Sequence, residues 1–155
     1  MKKSVYLDTT IPGYFFDERA SLEYPGEITR KWWNEESQNF DIFISLEIIA
    51  ELNRGNYPRK EKLLEFANDI ARLEPSDQVK QIAYHYIENM LMPRDVHGDA
   101  LHLAYASFYK IDFLRTWNCN HLANANKKQH IRIINTRLNL FTPEIITPLE
   151  LFTER

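Results

Sequence analysis

Three acids stand where a charge is costly. Asp8 closes the run Ser4-Val5-Tyr6-Leu7, Glu51 interrupts Ile48-Ile49-Ala50 and Leu52, and Asp99 follows Gly98 and opens the mostly apolar run Ala100 to Tyr109. A carboxylate at the end of a buried strand must be paired, hydrogen-bonded or bound to a cation. Each acid alone has an ordinary explanation: Asp8 and Asp99 are good helix caps, and a lone Glu usually faces water. Three that converge would repel one another unless a hard divalent cation sat among them. Oxygen-only ligands select Mg²⁺ or Mn²⁺, and carboxylate sites holding such ions commonly serve phosphoryl chemistry. The Thr9 hydroxyl follows Asp8 directly.

These residues need elements to position them. Val5 to Leu7 read as a short buried strand and Phe40 to Ser45 as a second. Ile111 to Thr116 make a third, and Glu144 to Thr147, between two prolines, a last short one. Between them lie helical stretches. Ile11 to Tyr24 is a helical start or loop with an exposed aromatic cluster at Tyr14, Phe15 and Phe16. A helix from Pro25 runs to about Gln38, and Ser45 can cap one that stops at Gly55. Further helices follow Pro58, Ser76 and Asp99, and Asn118 to Leu138 looks helical, in one piece or two. Leu73-Glu74-Pro75 reads as a break. Strands alternating with helices imply a mainly parallel sheet with helices on both faces, a three-layer α/β/α sandwich in one domain spanning 1–155.

Composition narrows the function classes. The chain has 155 residues, 44% hydrophobic and 26% charged, as an ordinary globular protein does. No apolar run approaches the ~20 residues of a membrane span, and no leader is expected at the N-terminus. Cys119 is the only cysteine, so neither an intrachain disulfide nor a cysteine-rich zinc site is available, and a cytoplasmic location is expected. The net charge of -3 excludes a broadly basic nucleic-acid coat, so any such contact must use a local patch. Two clusters qualify: Arg54, Arg59, Lys60 and Lys62 after Glu51, and Lys127, Lys128, His130, Arg132 and Arg137 after Asn118. With Thr9, the residues Arg54, Lys127 and Lys128 are the expected substrate contacts.

SVYLDTT, then SLEIIAEL, GDALHLAYA and DFLRTWNCNH, together resemble the PIN domain of VapC-type toxin ribonucleases, in that family's order and over nearly the whole chain. The closing TPLELF resembles its C-terminal strand and turn. The resemblance implies a three-layer fold, a Mg²⁺ or Mn²⁺ ion in a carboxylate cluster, and hydrolysis of RNA to a 5′-phosphate and a 3′-hydroxyl. It implies toxin-antitoxin biology, with an antitoxin protein and a homodimer as expected partners. Its acids fall on Asp8, on Glu51 rather than Glu47, and on Asp99. Its fourth motif keeps Thr116 and Asn118 but has His121 where the family has an acid. The alternative is a PIN-fold RNA-binding or regulatory module with weakened catalysis.

Other chemistries fit less well. Asp8-Thr9-Thr10 has neither the glycine nor the second copy of an aspartic protease, nor the second acid of an aspartyl phosphatase. Cys119 and His121 are too close in sequence to face each other on a helix. His97 and His102 flank Asp99 and read as structural or exposed. Trp32 and Trp33 read as core or interface, and Trp117 as a wall of the crevice that could stack a base. His121→Asp should strengthen metal binding, more for Mg²⁺ than for Mn²⁺, because Mn²⁺ accepts imidazole and Mg²⁺ prefers oxygen. Titration calorimetry of both ions on wild type and variant decides this, and unchanged affinities would place His121 outside the site.

Overall fold

In a computed structural model, the structure describes residues 1–19, 23–89, 91–92, 98–118, 122–150 and 152. The sheet has five strands, all parallel, in the order β3-β2-β1-β4-β5. They are β1 (Lys3–Leu7), β2 (Phe40–Ser45), β3 (Ala71–Leu73), β4 (Phe113–Arg115) and β5 (Glu144–Ile146). Seven α-helices connect them among the described residues: α1 (Thr10–Phe16), α2 (Glu23–Glu36), α3 (Leu46–Asn53), α4 (Lys60–Asn68), α5 (Asp77–Glu88), α6 (Asp99–Phe108) and α7 (Ala125–Arg137). This is the three-layer α/β sandwich expected from the sequence.

Strand β1 lies in the middle. Val5, Tyr6 and Leu7 are fully buried, as the central strand of a sheet covered on both faces requires. Both Tyr6 and Leu114 lack exposed surface, and the helix α6 run of alanines, Ala100, Ala104 and Ala106, lets that helix pack closely on the sheet. On β4, the fully buried Arg115 lays its guanidinium over the Trp32 ring at 3.9 Å and donates from Nη2 to the Glu150 carbonyl. Trp32 is therefore core, as its sequence context suggested.

The chain leaves β1 to build β2 and β3 on one side and later adds β4 and β5 on the other. The order thus switches at β1, where a parallel α/β sheet opens a crevice beyond its strand ends. Asp8 follows β1, and Thr116 follows β4, at that opening.

Several elements differ from the sequence reading. The sequence shows no strand before the break at Leu73-Glu74-Pro75, yet the three-residue β3 pairs there with β2 through Phe43↔Ala71 to Ser45↔Leu73; edge pairing needs only backbone, so its side chains carry little signal. The third strand is shorter than Ile111 to Thr116, and the last helix begins only at Ala125, where the Asn124 side chain caps Lys127 N. Ser76 caps α5 as expected, but the Ser45 hydroxyl does not cap α3, since it bonds to Tyr6. Phe15 and Phe16 are half-buried rather than exposed, packed with Trp33 and Phe66.

Helix α1 is a weak helix by composition, TIPGYFF, and a Cβ built at Gly13 would meet no atom within 4 Å. Glycine in a helix interior costs roughly 0.5–1 kcal/mol relative to alanine. Gly13→Ala should therefore raise the thermal midpoint by about 1–4 °C. A lower midpoint in a calorimetric scan would show that the space at Gly13 is filled.

Candidate active site

Asp8 is 2% exposed, and its carboxylate takes hydrogen bonds on both oxygens. Oδ1 accepts from the backbone N–H and the hydroxyl of Thr10, and Oδ2 from the Thr116 hydroxyl. Each hydroxyl is itself fed from behind: Trp117 N donates to Thr10 Oγ1, and Asn118 N to Thr116 Oγ1, both at 2.9 Å. Two N–H→OH→carboxylate chains thus run from the loop after β4 to Asp8, each link polarising the next. Burial still pushes the Asp8 carboxyl up to about 6, with the Asp99 charge adding to the rise; His102 and the two hydroxyls oppose it.

Glu51 and Asp99 approach the same opening from α3 and α6. His102, one turn after Asp99 on α6, is 1% exposed and lies between them and Tyr6. Its Nε2 is 3.0 Å from Glu51 Oε1, and its Nδ1 is 2.7 Å from the Tyr6 hydroxyl, which is 2.7 Å from Ser45 Oγ. Thr9 Oγ1 donates to the other Glu51 oxygen, and Asn118 Nδ2 donates to Asp99 Oδ2 at 2.7 Å. Gly98 has φ +82, a backbone that suits glycine, and its α-carbon faces Glu51 Oε1.

Burial pushes the His102 imidazole down, but the hydrogen bond and charge of Glu51, with Asp8 and Asp99 behind it, outweigh burial and hold it above its usual value. Burial likewise pushes Glu51 up, and the bond and charge of His102, then Thr9 and Arg54, bring it below the usual carboxylate range. Tyr6 and Ser45 suit either state of the ring. With neutral imidazole, Tyr6 donates to Nδ1; with imidazolium, Nδ1–H donates to Tyr6 and Tyr6 turns to Ser45.

The structure therefore brings Asp8, Glu51, Asp99, Thr116 and Asn118 to one opening, with Thr9 spent on Glu51. Glu47, one turn before Glu51, pairs instead with Arg54 at 3.3 Å. Lys127 donates to the Leu91 carbonyl, and Lys128 is half-buried on α7. Trp117 is a fixed wall: its indole N–H donates to Thr29 and its ring lies against Tyr14. His121, Cys119 and His97 lie outside the described residues. Sequence reasoning missed Thr10, Tyr6 and Ser45, and undervalued His102. The signal for His102 was available: Asp99 and His102 are spaced i, i+3, so one helix face carries both.

Among solved structures, a chain of the VapBC2 assembly from Rickettsia felis, bound to a DNA fragment from their promoter, aligns with a TM-score of 0.58. The alignment covers 92% of this chain and 97% of that chain at 15% identity. The likeness is one of fold. No family model and no curated protein matches the sequence.

The donor types at the opening fit a hard divalent cation, being carboxylate, hydroxyl and amide oxygens. Their placement is less closed: among the described residues, no three His, Cys, Asp or Glu side chains are grouped so as to hold a metal ion. Glu51 is turned to His102 and Thr9 instead. The three acids share an imidazole neighbour rather than a ready-made ligand set.

The pH dependence of the metal-free fold follows from these shifts. Glu51, lowered, contributes stability that is full above its unfolded value of about 4.3 and is lost as pH falls through its folded value. His102, raised, contributes stability that is full below about 6.5 and is lost as pH rises through its folded value. The pair thus stabilises most between about pH 4.5 and 6.5, and thermal midpoints without metal should fall from pH 6 to 8. His102→Phe should flatten that slope and cost about 2–5 kcal/mol at pH 6, because Glu51 and the Tyr6 hydroxyl lose their buried partner. Denaturant titrations across pH check both; an unchanged slope would mean that His102 does not carry it.

Proposed function

We propose that this chain is a metal-dependent endoribonuclease of the PIN type and acts as the toxin of a toxin-antitoxin pair. The observation that carries the reading is the buried Asp8 carboxylate at the switch point of the sheet, with Glu51 and Asp99 brought to it from separate helices. Burial holds the Asp8 carboxyl near 6, a state that a bound cation would relieve. The fold likeness to a VapBC2 chain adds support for the toxin role and for an antitoxin partner; a homodimer is part of the same proposal.

Asp8, Asp99 and Glu51 would hold Mg²⁺ or Mn²⁺, with Glu51 turning from His102 to do so. When bound, such an ion supplies charge for a phosphoryl oxygen and lowers the pKa of water at neutral pH. The chain's own groups do the rest. The Thr10 and Thr116 hydroxyls keep Asp8 ionised and fix its orientation. Asn118 orients Asp99 through its amide. His102 and Thr9 set the direction of Glu51, and Tyr6, too deeply buried to ionise, backs the imidazole.

The open ligand set favours one competing reading, a PIN-fold module that binds RNA with weakened catalysis. Activity separates the two. Asp8→Asn should lower Mg²⁺- or Mn²⁺-dependent RNA cleavage at least about 100-fold. The same change removes a buried charge whose carboxyl rises from 3.8 to about 6 on folding, worth on the order of 3 kcal/mol above pH 6. The Thr116 hydroxyl can reverse to accept from the new amide, so the metal-free variant should melt at or above the wild-type temperature at pH 7. Cleavage that survives Asp8→Asn or a chelator would overturn the metal-nuclease reading, and a large drop in melting temperature with intact cleavage would make Asp8 a structural cap.

A further inference from the structure

One buried ring stands among the three acids. His102 is 1% exposed, and Glu51, Asp8 and Asp99 are the negative charges around it. Its Nδ1 lies 2.7 Å from the Tyr6 hydroxyl, and that hydroxyl lies 2.7 Å from Ser45 Oγ. The Tyr6 ring also rests against the imidazole, with centroids 5.5 Å apart. The ring is thus fixed from behind, and Nε2 meets Glu51 Oε1 at 3.0 Å.

If Asp8, Asp99 and Glu51 hold an ion, Glu51 has to give up that bond. Among the described residues no three such side chains are grouped round one point in the metal-free fold, and the Glu51–His102 bond is the contact an ion must replace. Once Glu51 turns away, a buried ring nitrogen is left without a partner, which is costly. The ring cannot follow Glu51, because Tyr6 and Ser45 hold its other nitrogen. A phosphate oxygen is a poor replacement, since Asp8 and Asp99 keep the position negative. A cation is a good one.

The line behind the ring suits that role. A histidine that binds a metal through Nε2 carries its proton on Nδ1 and donates it to an acceptor. Tyr6 can accept it only if its own proton goes elsewhere, and Ser45 Oγ, which makes no cap bond to α3, is there to take it. Asp99 and His102 stand i, i+3 on α6. At that spacing a helical carboxylate and an imidazole ligate together in di-iron and di-manganese carboxylate proteins. Carboxylates alone suit Mg²⁺, whereas an added imidazole moves the preference toward Mn²⁺ and its first-row neighbours.

We infer that His102 Nε2 is itself a ligand of the ion, beside Asp8, Asp99 and Glu51, and that the site takes Mn²⁺ or a related first-row cation in preference to Mg²⁺. This rests on the metal-nuclease reading and deepens it. Tyr6 and Ser45 are positioning residues for the imidazole.

The test uses the full chain, with Mn²⁺ and Mg²⁺ salts as the probes. Titration calorimetry should show Mn²⁺ bound at least about tenfold more tightly than Mg²⁺. His102→Gln offers an oxygen in place of the imidazole, and it should weaken Mn²⁺ at least about tenfold while leaving Mg²⁺ within about threefold. Ser45→Ala removes the acceptor behind Tyr6 and should weaken Mn²⁺ by roughly tenfold or more. Pulsed electron paramagnetic resonance of the Mn²⁺-loaded chain, isotopically labelled at the histidine nitrogens, should show an imidazole nitrogen coupled to the ion. A merely structural His102 gives no such signal. Should His102→Gln fail to fold, a chain carrying His85→Gln, His97→Gln, His121→Gln and His130→Gln keeps His102 as its sole histidine and should keep the signal. No histidine signal in wild type, its loss in the single-histidine chain, or an unchanged Mn²⁺ preference in His102→Gln would each overturn the inference. If wild type binds Mn²⁺ and cleaves RNA with it but shows no histidine signal, the ligand assignment alone fails. If wild type binds neither ion, the metal-nuclease reading fails with it.

Discussion

The burial of one carboxylate governs this molecule. Asp8 ends the central strand, almost without exposed surface, where an unpaired charge would cost several kcal/mol. The protein answers with two polarised chains, each starting at a backbone N–H of the loop after β4 and passing through a threonine hydroxyl. These chains fix more than Asp8. They tie the exit of β1 to the exit of β4, so the loop carrying Trp117 and Asn118 is held by the same bonds that satisfy the acid. Asn118 then reaches Asp99, and the second acid inherits its position from the first.

The other half of the site is organised by His102. A buried imidazole between a carboxylate and a phenol is held on both sides, and Glu51 owes its lowered carboxyl chiefly to that neighbour, which outweighs its burial. His102 also faces Asp8 and Asp99 electrostatically. When protonated, it is a positive partner for the three acids around it. Its neighbours Tyr6 and Ser45 come from β1 and β2, so the strand pair that forms the core also supports the imidazole from beneath. Stability and chemistry are therefore coupled through one hydrogen-bonded line.

Helix α1 shows the opposite priority. Its sequence gives up helical stability at Gly13, and what it leaves is open volume beside Thr10 rather than better packing. Its flank is secured from outside, by Phe15 and Phe16 against Trp33 and Phe66 and by Arg30 on the Phe15 carbonyl. A short helix can remain locally weak when its neighbours determine its position.

The sequence by itself determined the layered α/β class and singled out Asp8, Glu51 and Asp99 as candidate acids, while Thr116 and Asn118 entered only through the family resemblance. The fold class and the candidate acids follow from local facts: a charge ending an apolar strand, and helical periods interrupted by an acid. It could not give β3, whose three residues pair through backbone alone, nor the shortened last helix. It also left Glu51 and Glu47 alike in physical terms, since both lie on one face of α3; only the approach of α6 with His102 distinguishes them. Tertiary structure alone decided that the Ser45 hydroxyl serves Tyr6 instead of capping α3, that Thr10 rather than Thr9 holds Asp8, and that Lys127 is spent on a carbonyl. Most of these bonds join residues far apart in sequence, 39 positions for Tyr6 and Ser45 and 36 for Lys127 and Leu91, and Thr9 is drawn from its neighbour Asp8 by Glu51, 42 positions on. Residue type says that a polar group needs a partner, and the packing of β1 against β4 and α6 says which one it has.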